Sequence, residues 1–250
     1  MEISCAGQSH VGRRHNNEDN FLAEAGLRLF AVADGMGGYE GGEIASRLAV
    51  DSLRDFFRRN AEDDDATWPF KLNRALSFGE NLVSTGVRCA DLAVRTEKNG
   101  HLHEMGSTVA VLYLEAERAI VGHLGDSRIY LWRNNELQQL TIDHSLYEQF
   151  RAAGDRDLPP LEHFAYANVI TRALGIGENG LPELRSVPLC VGDRLLLCTD
   201  GLSGAVNPQQ LAQALAQGTA ETCCSALVER AYAQGSKDNI TAVVVDVVSR

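Results

Sequence analysis

Four aspartates in this 250-residue chain stand at the ends of apolar runs that read as strands, and that placement constrains the fold more than any other feature. Asp34 closes the run 27–33 and Asp200 closes 194–199. Asp238 opens 239–245, and Asp126 sits in a Gly-Asp turn between 119–124 and 128–132. A carboxylate at the rim of a buried strand is held by a rigid element yet can still face solvent. Several such groups meeting at one rim repel one another unless cations lie between them.

Between these runs the pattern changes character. Residues 1–20 are polar, and the stretch 34–42 is too rich in glycine for a regular element. Ile44, Ala45, Leu48, Ala49, Leu53, Phe56 and Phe57 follow helical spacing, which predicts an amphipathic helix over 43–59. The acidic run 62–65 reads as a solvated connection, and 69–96 reads as a second helix interrupted in propensity by Gly79 and Gly86. Short runs at 108–114, 119–124 and 128–132 read as strands, and Asn134-Asn135 as a hairpin turn into 137–140. Residues 143–168, with Gly154 and Pro159-Pro160, read as an irregular excursion from the sheet. Helices are expected over 207–217, with Pro208 near its start, and over 220–234, and a last strand over 241–248. Strands and helices come in blocks rather than alternating one for one. That favours an α+β layered domain with a mainly antiparallel sheet, and a single domain over residues 1–250.

Composition narrows the function. A net charge of −11 argues against nucleic acid as a partner, because phosphate backbones require a basic face. The six cysteines include no C-x-x-C pair, and Cys223 and Cys224 are adjacent, so neither a zinc framework nor a disulfide framework is expected. This usage fits a reducing, cytoplasmic setting. No apolar run reaches the length of a membrane span, and Glu2 and Ser4 fall where a secretory signal would be basic and then apolar.

Taken singly, Asp-Gly and Asp-Asn are turn dipeptides. Taken together, the four aspartates offer an all-oxygen ligand set with no matching His or Cys, the chemistry of Mg²⁺ or Mn²⁺ rather than Zn²⁺. Glycine after Asp34 lets its own carbonyl approach an ion. The segments around them carry a resemblance. They are Arg14-x-x-Asn17-Glu18-Asp19, Ala33-Asp34-Gly35-Met36-Gly37-Gly38, Gly42-Glu43-x-Ala45-Ser46 and Met105-Gly106-Ser107-Thr108. Further along stand Gly125-Asp126-Ser127-Arg128, Leu140-Thr141-x-Asp143-His144-Ser145, Ile170-Thr171-Arg172-Ala173-Leu174-Gly175, Leu197-Cys198-Thr199-Asp200-Gly201-Leu202 and Asp238-Asn239-Ile240-Thr241. In this order, over nearly the whole chain, they resemble the metal-dependent protein phosphatases of the PPM (protein phosphatase 2C) family, in the compact form of its bacterial branch.

The resemblance implies a central sandwich of two mainly antiparallel sheets flanked by helices on both sides, with a metal site at one end. It implies two Mn²⁺ or Mg²⁺ ions bridged by Asp34. The carbonyl of Gly35 would bind one ion and Asp200 and Asp238 the other. Asp19 and Glu18 would hold ion-bound waters, Asn239 would stand behind the ligands, and Asp126 with Asp200 would take a third, weaker ion. Arg14 would hold the substrate phosphate through paired donors. The implied reaction is hydrolysis of phosphoserine and phosphothreonine in proteins by a metal-bridging hydroxide, with Arg14 and Asp34 as catalytic residues. The implied partners are phosphoproteins, among them a Ser/Thr kinase and its substrates, and the chain is expected to be monomeric.

Two departures limit the carry-over. Met36 stands where many eukaryotic members have a histidine after Asp-Gly. The excursion at about 145–168, which corresponds to the family's flap, lacks the His-Pro pair of many bacterial members. His144 is assigned no role, His101-x-His103 reads as surface, and Phe164 and Tyr166 either anchor the excursion or meet substrate. The alternative reading is a catalytically inactive member used as a binding module. Such proteins usually lose metal ligands, and here every matched acidic position is filled.

Overall fold

A computed structural model describes residues 2–38, 40–63, 67–155, 157–177 and 180–249. Among these described residues, eleven strands form two antiparallel sheets. The first has the order β1 (Glu2–His10), β11 (Ile240–Ser249), β10 (Arg194–Cys198), β7 (Arg128–Arg133), β8 (Glu136–Gln139). The second has β2 (Asp19–Glu24), β3 (Leu29–Met36), β5 (Val109–Leu114), β6 (Arg118–Leu124), β9 (Glu183–Pro188), with the short β4 (Gly106–Ser107) paired to β3. Helices α1 (Gly41–Glu62) and α2 (Phe78–Glu97) pack on the second sheet. Helices α5 (Pro208–Leu215) and α6 (Ala220–Ala233) pack on the first.

The parity of the strands builds these layers. On β3, Leu29, Ala31 and Ala33 face α1 and α2, whereas Phe30 and Val32 face the other sheet. On β11, Val243, Val245 and Val247 point between the sheets, and Ala242 and Val244 point to α5 and α6. A strand covered on both faces loses its polar alternation, which is why these segments read as continuous apolar runs. The sandwich flanked by helices on both sides is therefore present as the resemblance implies.

Several local expectations are corrected. The second helix begins at Phe78 rather than 69. Ser77 accepts from the Glu80 backbone and Glu80 reaches back to Ser77, a capping box that fixes the start. Its two glycines do not interrupt it: a side chain at Gly79 would strike Glu115 and Ile120, and one at Gly86 would meet Phe57 and Leu53. The run 27–33 becomes a 3-10 turn (Ala25–Leu27) followed by a strand that continues through Asp34 to Met36. Residues 2–10, inside the polar stretch 1–20, form β1, and residues 19–24, which straddle its end, form β2. The irregular stretch after Asp143 contains α3 (Leu146–Ala152). Asp200 is not the end of a strand but the first residue of α4 (Asp200–Ser203). Asn134 and Asn135, at φ of 51° and 63°, make the expected hairpin turn, both in the left-handed region that asparagine tolerates. Of the acidic run 62–65, Asp64 and Asp65 lie outside the described residues.

Candidate metal centre

The aspartates converge at one end of the sandwich, where strands of both sheets terminate. Antiparallel register sets Asp19 on β2 opposite Asp34 on β3. Like charges directly opposite one another across a strand pair are unfavourable without compensation. The turn 125–127 carries the chain from β6 in one sheet to β7 in the other and places Asp126 across the end. From the first sheet, Asp200 follows β10 and Asp238 precedes β11, two strands that pair directly. A Cβ on Gly201 would come to 1.9 Å from the Asn239 carbonyl oxygen, so the contact that joins the Asp200 and Asp238 segments admits only glycine.

Around each carboxylate the polar groups are specific. The Asp34 backbone N–H donates to Thr108 Oγ1 at 3.0 Å. Its carbonyl accepts from the Thr108 N–H at 2.8 Å and Ser107 Oγ at 3.1 Å. Asp19 Oδ2 accepts from Thr199 and Thr241. Asp19 Oδ1, Asp126 Oδ1 and Asp200 Oδ1 are buried with no hydrogen-bond partner. Three bare carboxylate oxygens at one place are an unusual expense in a folded protein. Burial pushes Asp19 and Asp126 each up to about 7, with Asp200 the next charge acting on both. It holds Asp34 well above the usual carboxylate range, reinforced by Asp19, Asp200, Asp126 and Asp238. Asp200 is raised by burial and by Asp238. Uncompensated oxygens, an all-oxygen donor set and mutual repulsion are what a pair of hard divalent cations relieves, so the residues present fit Mg²⁺ or Mn²⁺.

Gly35 also fits. A Cβ there would lie 1.9 Å from the Gly42 carbonyl oxygen, which keeps the backbone after Asp34 pressed against the start of α1. Glu18 stands above that helix start, since a Cβ on Gly42 would meet its carboxylate at under 3 Å. Burial raises the Glu18 carboxyl above its ordinary value. Asn239 is a strut. Its Oδ1 accepts from the Glu18 N–H, and its Nδ2 donates to Val11 O and Asn16 O, each at 2.9 Å. It thereby binds the loop that carries Arg14 to the head of β11. Arg14 lies at the rim, its side chain 55% exposed, donating to Asp238 Oδ2 at 2.6 Å and to Lys237 O at 3.2 Å. Its remaining guanidinium donors have no protein partner within hydrogen-bond reach among the described residues.

Ser145, Glu148 and Asn168 of the excursion lie beside the centre. Ser145 bridges Ile170, and a cavity of about 350 Å³ between this excursion and the core is lined by Asp126, Asp200, Glu148 and Asn168. Phe164 is half-buried against Tyr147 and Phe150, so it anchors the excursion on α3, whereas Tyr166 is exposed. His101 and His103 are exposed, as expected of surface residues.

Sequence reading missed a second polar cluster. His123, His144 and Glu183 bring ligand-type atoms together behind the Gly125-Asp126 turn. The two rings are stacked, 4.6 Å apart and 7° from parallel. Imidazole lone pairs lie in the ring planes, so parallel planes cannot both aim a nitrogen at one ion about 2 Å away. Arg172 also stands 3.1 Å from His144 Nε2. The cluster is structural: His123 Nε2 meets Ile142 O at 2.7 Å, and His144 Nδ1 accepts from the Gly125 N–H at 3.1 Å. Burial, with His123 and Arg172 next, pushes His144 down to about 4, which keeps it a neutral acceptor for that N–H. The signal for His144 was its place beside Asp143, and for His123 there was none beyond its strand.

Comparison with known proteins places nearly the whole chain among relatives. A family model described as Protein phosphatase 2C matches residues 6–234. The chain is 35% identical over 238 residues to the serine/threonine protein phosphatase PstP of Mycobacterium tuberculosis. The match covers 94% of this chain and 43% of that protein, so the chain spans less than half the relative's length. It is 32% identical over 253 residues to the protein phosphatase PhpP of Streptococcus pneumoniae, covering 98% of this chain and 97% of that one. The crystal structure of the PstP catalytic domain in complex with two manganese ions superposes with a TM-score of 0.78 at 35% identity, covering 99% of both chains.

Proposed function

The chain belongs to the protein phosphatase 2C family, and from that premise we propose that it is a metal-dependent protein serine/threonine phosphatase. The observation that carries the reading is the convergence of Asp19, Asp34, Asp126, Asp200 and Asp238, with three buried carboxylate oxygens left bare. Asp34, Asp200, Asp238 and the Gly35 carbonyl would hold two Mn²⁺ or Mg²⁺ ions, with Asp19 beside them, Glu18 and Asn239 behind them, and Asp126 with Asp200 at a looser third position. When bound, such ions supply Lewis acidity toward phosphoryl oxygens and acidify a coordinated water. Arg14 binds the phosphate with the guanidinium donors that Asp238 and Lys237 leave over, and its tie to Asp238 sets those donors against the centre. The excursion at 145–168 acts as the flap that borders the substrate. The substrates are phosphoserine and phosphothreonine proteins, among them a Ser/Thr kinase, and the chain acts as a monomer of a single domain. No helix among the described residues is long and apolar enough to cross a membrane. The filled ligand set stands against an inactive binding module.

Hydrolysis of a phosphothreonine peptide during a Mn²⁺ titration tests the reading, with chelator, Asp34→Asn and Asp238→Asn as controls. Activity should appear with Mn²⁺ and fall at least a hundredfold in each control. Undiminished turnover in chelator or in either variant would sink it.

A further inference from the structure

The two oxygens of Asp19 have opposite surroundings. Oδ2 accepts from Thr199 Oγ1 at 2.8 Å and Thr241 Oγ1 at 2.7 Å, while Oδ1 is buried and bare. Thr199 and Thr241 are fully buried and Asp19 is 5% exposed. The donors come from separate segments: Thr199 follows β10 and caps the start of α4, and Thr241 lies in β11, in register with Ser9 of β1. Ser9 Oγ lies 2.7 Å from Thr241 Oγ1 and accepts from Asn17 Nδ2 at 2.8 Å.

Counting protons gives this chain of contacts one direction. A carboxylate oxygen only accepts, so the single hydroxyl proton of Thr241 goes to Asp19. Thr241 Oγ1 must then accept from Ser9, and Ser9 accepts from the Asn17 amide. Thr199 Oγ1 accepts the Thr241 backbone N–H at 3.1 Å and spends its own proton on Asp19. Asn17 Oδ1 in turn accepts the Asp19 backbone N–H at 3.3 Å, closing the loop. A buried carboxylate serving only to hold strands together would have both oxygens satisfied. Here one is satisfied twice and the other is buried and bare, on a carboxylate whose neighbouring charges include Asp34, Asp200 and Asp238.

We propose that Thr199, Thr241, Ser9 and Asn17 form a positioning network that locks the Asp19 carboxylate with Oδ1 turned into the metal centre, and that the two threonine hydroxyls thereby set the affinity of the centre for divalent cations. The proposal rests on the reading of the aspartates as a cation site. Partners that orient a ligand from behind are commonly worth about tenfold to a hundredfold in metal affinity. Loss of either hydroxyl leaves Oδ2 with a single donor and the carboxylate freer to rotate.

Calorimetric titration of the chelator-stripped protein with Mn²⁺ tests this, using Thr199→Val, Thr241→Val, the conservative Thr199→Ser and Thr241→Ser, and Ser9→Ala. The valine variants should bind Mn²⁺ about tenfold or more weakly, with the serine variants close to wild type. Ser9→Ala, which keeps both threonines, should weaken binding by a smaller factor. Valine variants with native circular dichroism and Mn²⁺ affinity within twofold of wild type would overturn the proposal. Serine variants as weak as the valine ones would also do so. Should the valine variants not fold, unchanged affinity in Ser9→Ala overturns it and weakened affinity supports it. Absence of Mn²⁺ binding by the wild-type protein would instead remove the cation site itself.

Discussion

Replacing Asp19 by Asn should stabilise the metal-free protein while weakening its response to metal. Asp19 is 5% exposed, and burial, opposed by Thr241 and Thr199 and reinforced by Asp200 and Asp238, pushes its carboxyl from 3.8 to about 7. A folded-state value above the unfolded one means that the ionised group costs stability, and the cost grows as pH rises from about 4 to about 7. A shift of about three units corresponds to about 4 kcal/mol at pH 7 and above. Asn keeps an acceptor oxygen for Thr199 and Thr241 but carries no charge. Its amide still needs a partner inside the cluster, which reduces the gain to about 2–3 kcal/mol. For a chain of this length that is on the order of 5–10 °C in melting temperature. Urea unfolding in chelator at pH 7.5 should show the variant more stable than wild type, and at pH 4 the two should coincide. In millimolar Mn²⁺ the order should reverse, because cation binding stabilises the wild type by mass action. A variant less stable than wild type in chelator at pH 7.5 would refute the electrostatic argument.

Arg14→Ala should raise KM for a phosphothreonine peptide about tenfold or more and leave the melting temperature within a degree or two, since the guanidinium is solvent-facing; Arg14→Lys should recover only part, as an ammonium lacks the paired donors. Gly201→Ala should abolish activity in peptide assays by driving the Asp200 segment from that of Asp238, with circular dichroism retained. His144 sits near 4 in the fold against 6.5 unfolded, so it favours the fold above pH 6.5 and that contribution is lost as pH falls from 6.5 toward 4. The loss should reach about 2 kcal/mol after allowance for solvent screening. It should be absent in His144→Asn, whose Oδ1 still accepts the Gly125 N–H, as denaturant titrations across that pH range would show.

The elements legible in the chain were those whose burial repeats at a fixed period. β3, β5, β6, β7, β10 and β11 are covered on both faces and announced themselves as apolar runs, and α1 showed its stripe. The strands without such a signal are the two-residue β4 and β1, β2 and β9, the last three each at an edge of its sheet. Residues of β1 such as Gly7, Gln8 and Ser9 are half-exposed, so burial leaves no period in them. The edge strand β8 was legible only through the Asn-Asn turn, a backbone requirement rather than a burial one. Local chemistry of the same kind, the Ser77-Glu80 box, was present in the sequence and outweighed by the apolar residues before it.

By itself the sequence pointed through strand and helix periodicity to an α+β layered domain with a mainly antiparallel sheet, the two-sheet sandwich coming only from the family resemblance, and it supplied the carboxylates near strand ends, because periodicity and residue type are properties of short segments. Only the tertiary structure decided that Asp19 faces Asp34 across one register, and that Asp200 and Asp238 meet them from the other sheet. It also decided that two buried threonines and a serine aim Asp19, and that Arg14 is docked on Asp238. Each of these joins residues far apart in the chain, Asp19 and Thr241 by 222 positions. Such a contact leaves no period for sequence to display: it exists only when two independently formed sheets close on one another and bring their ends together.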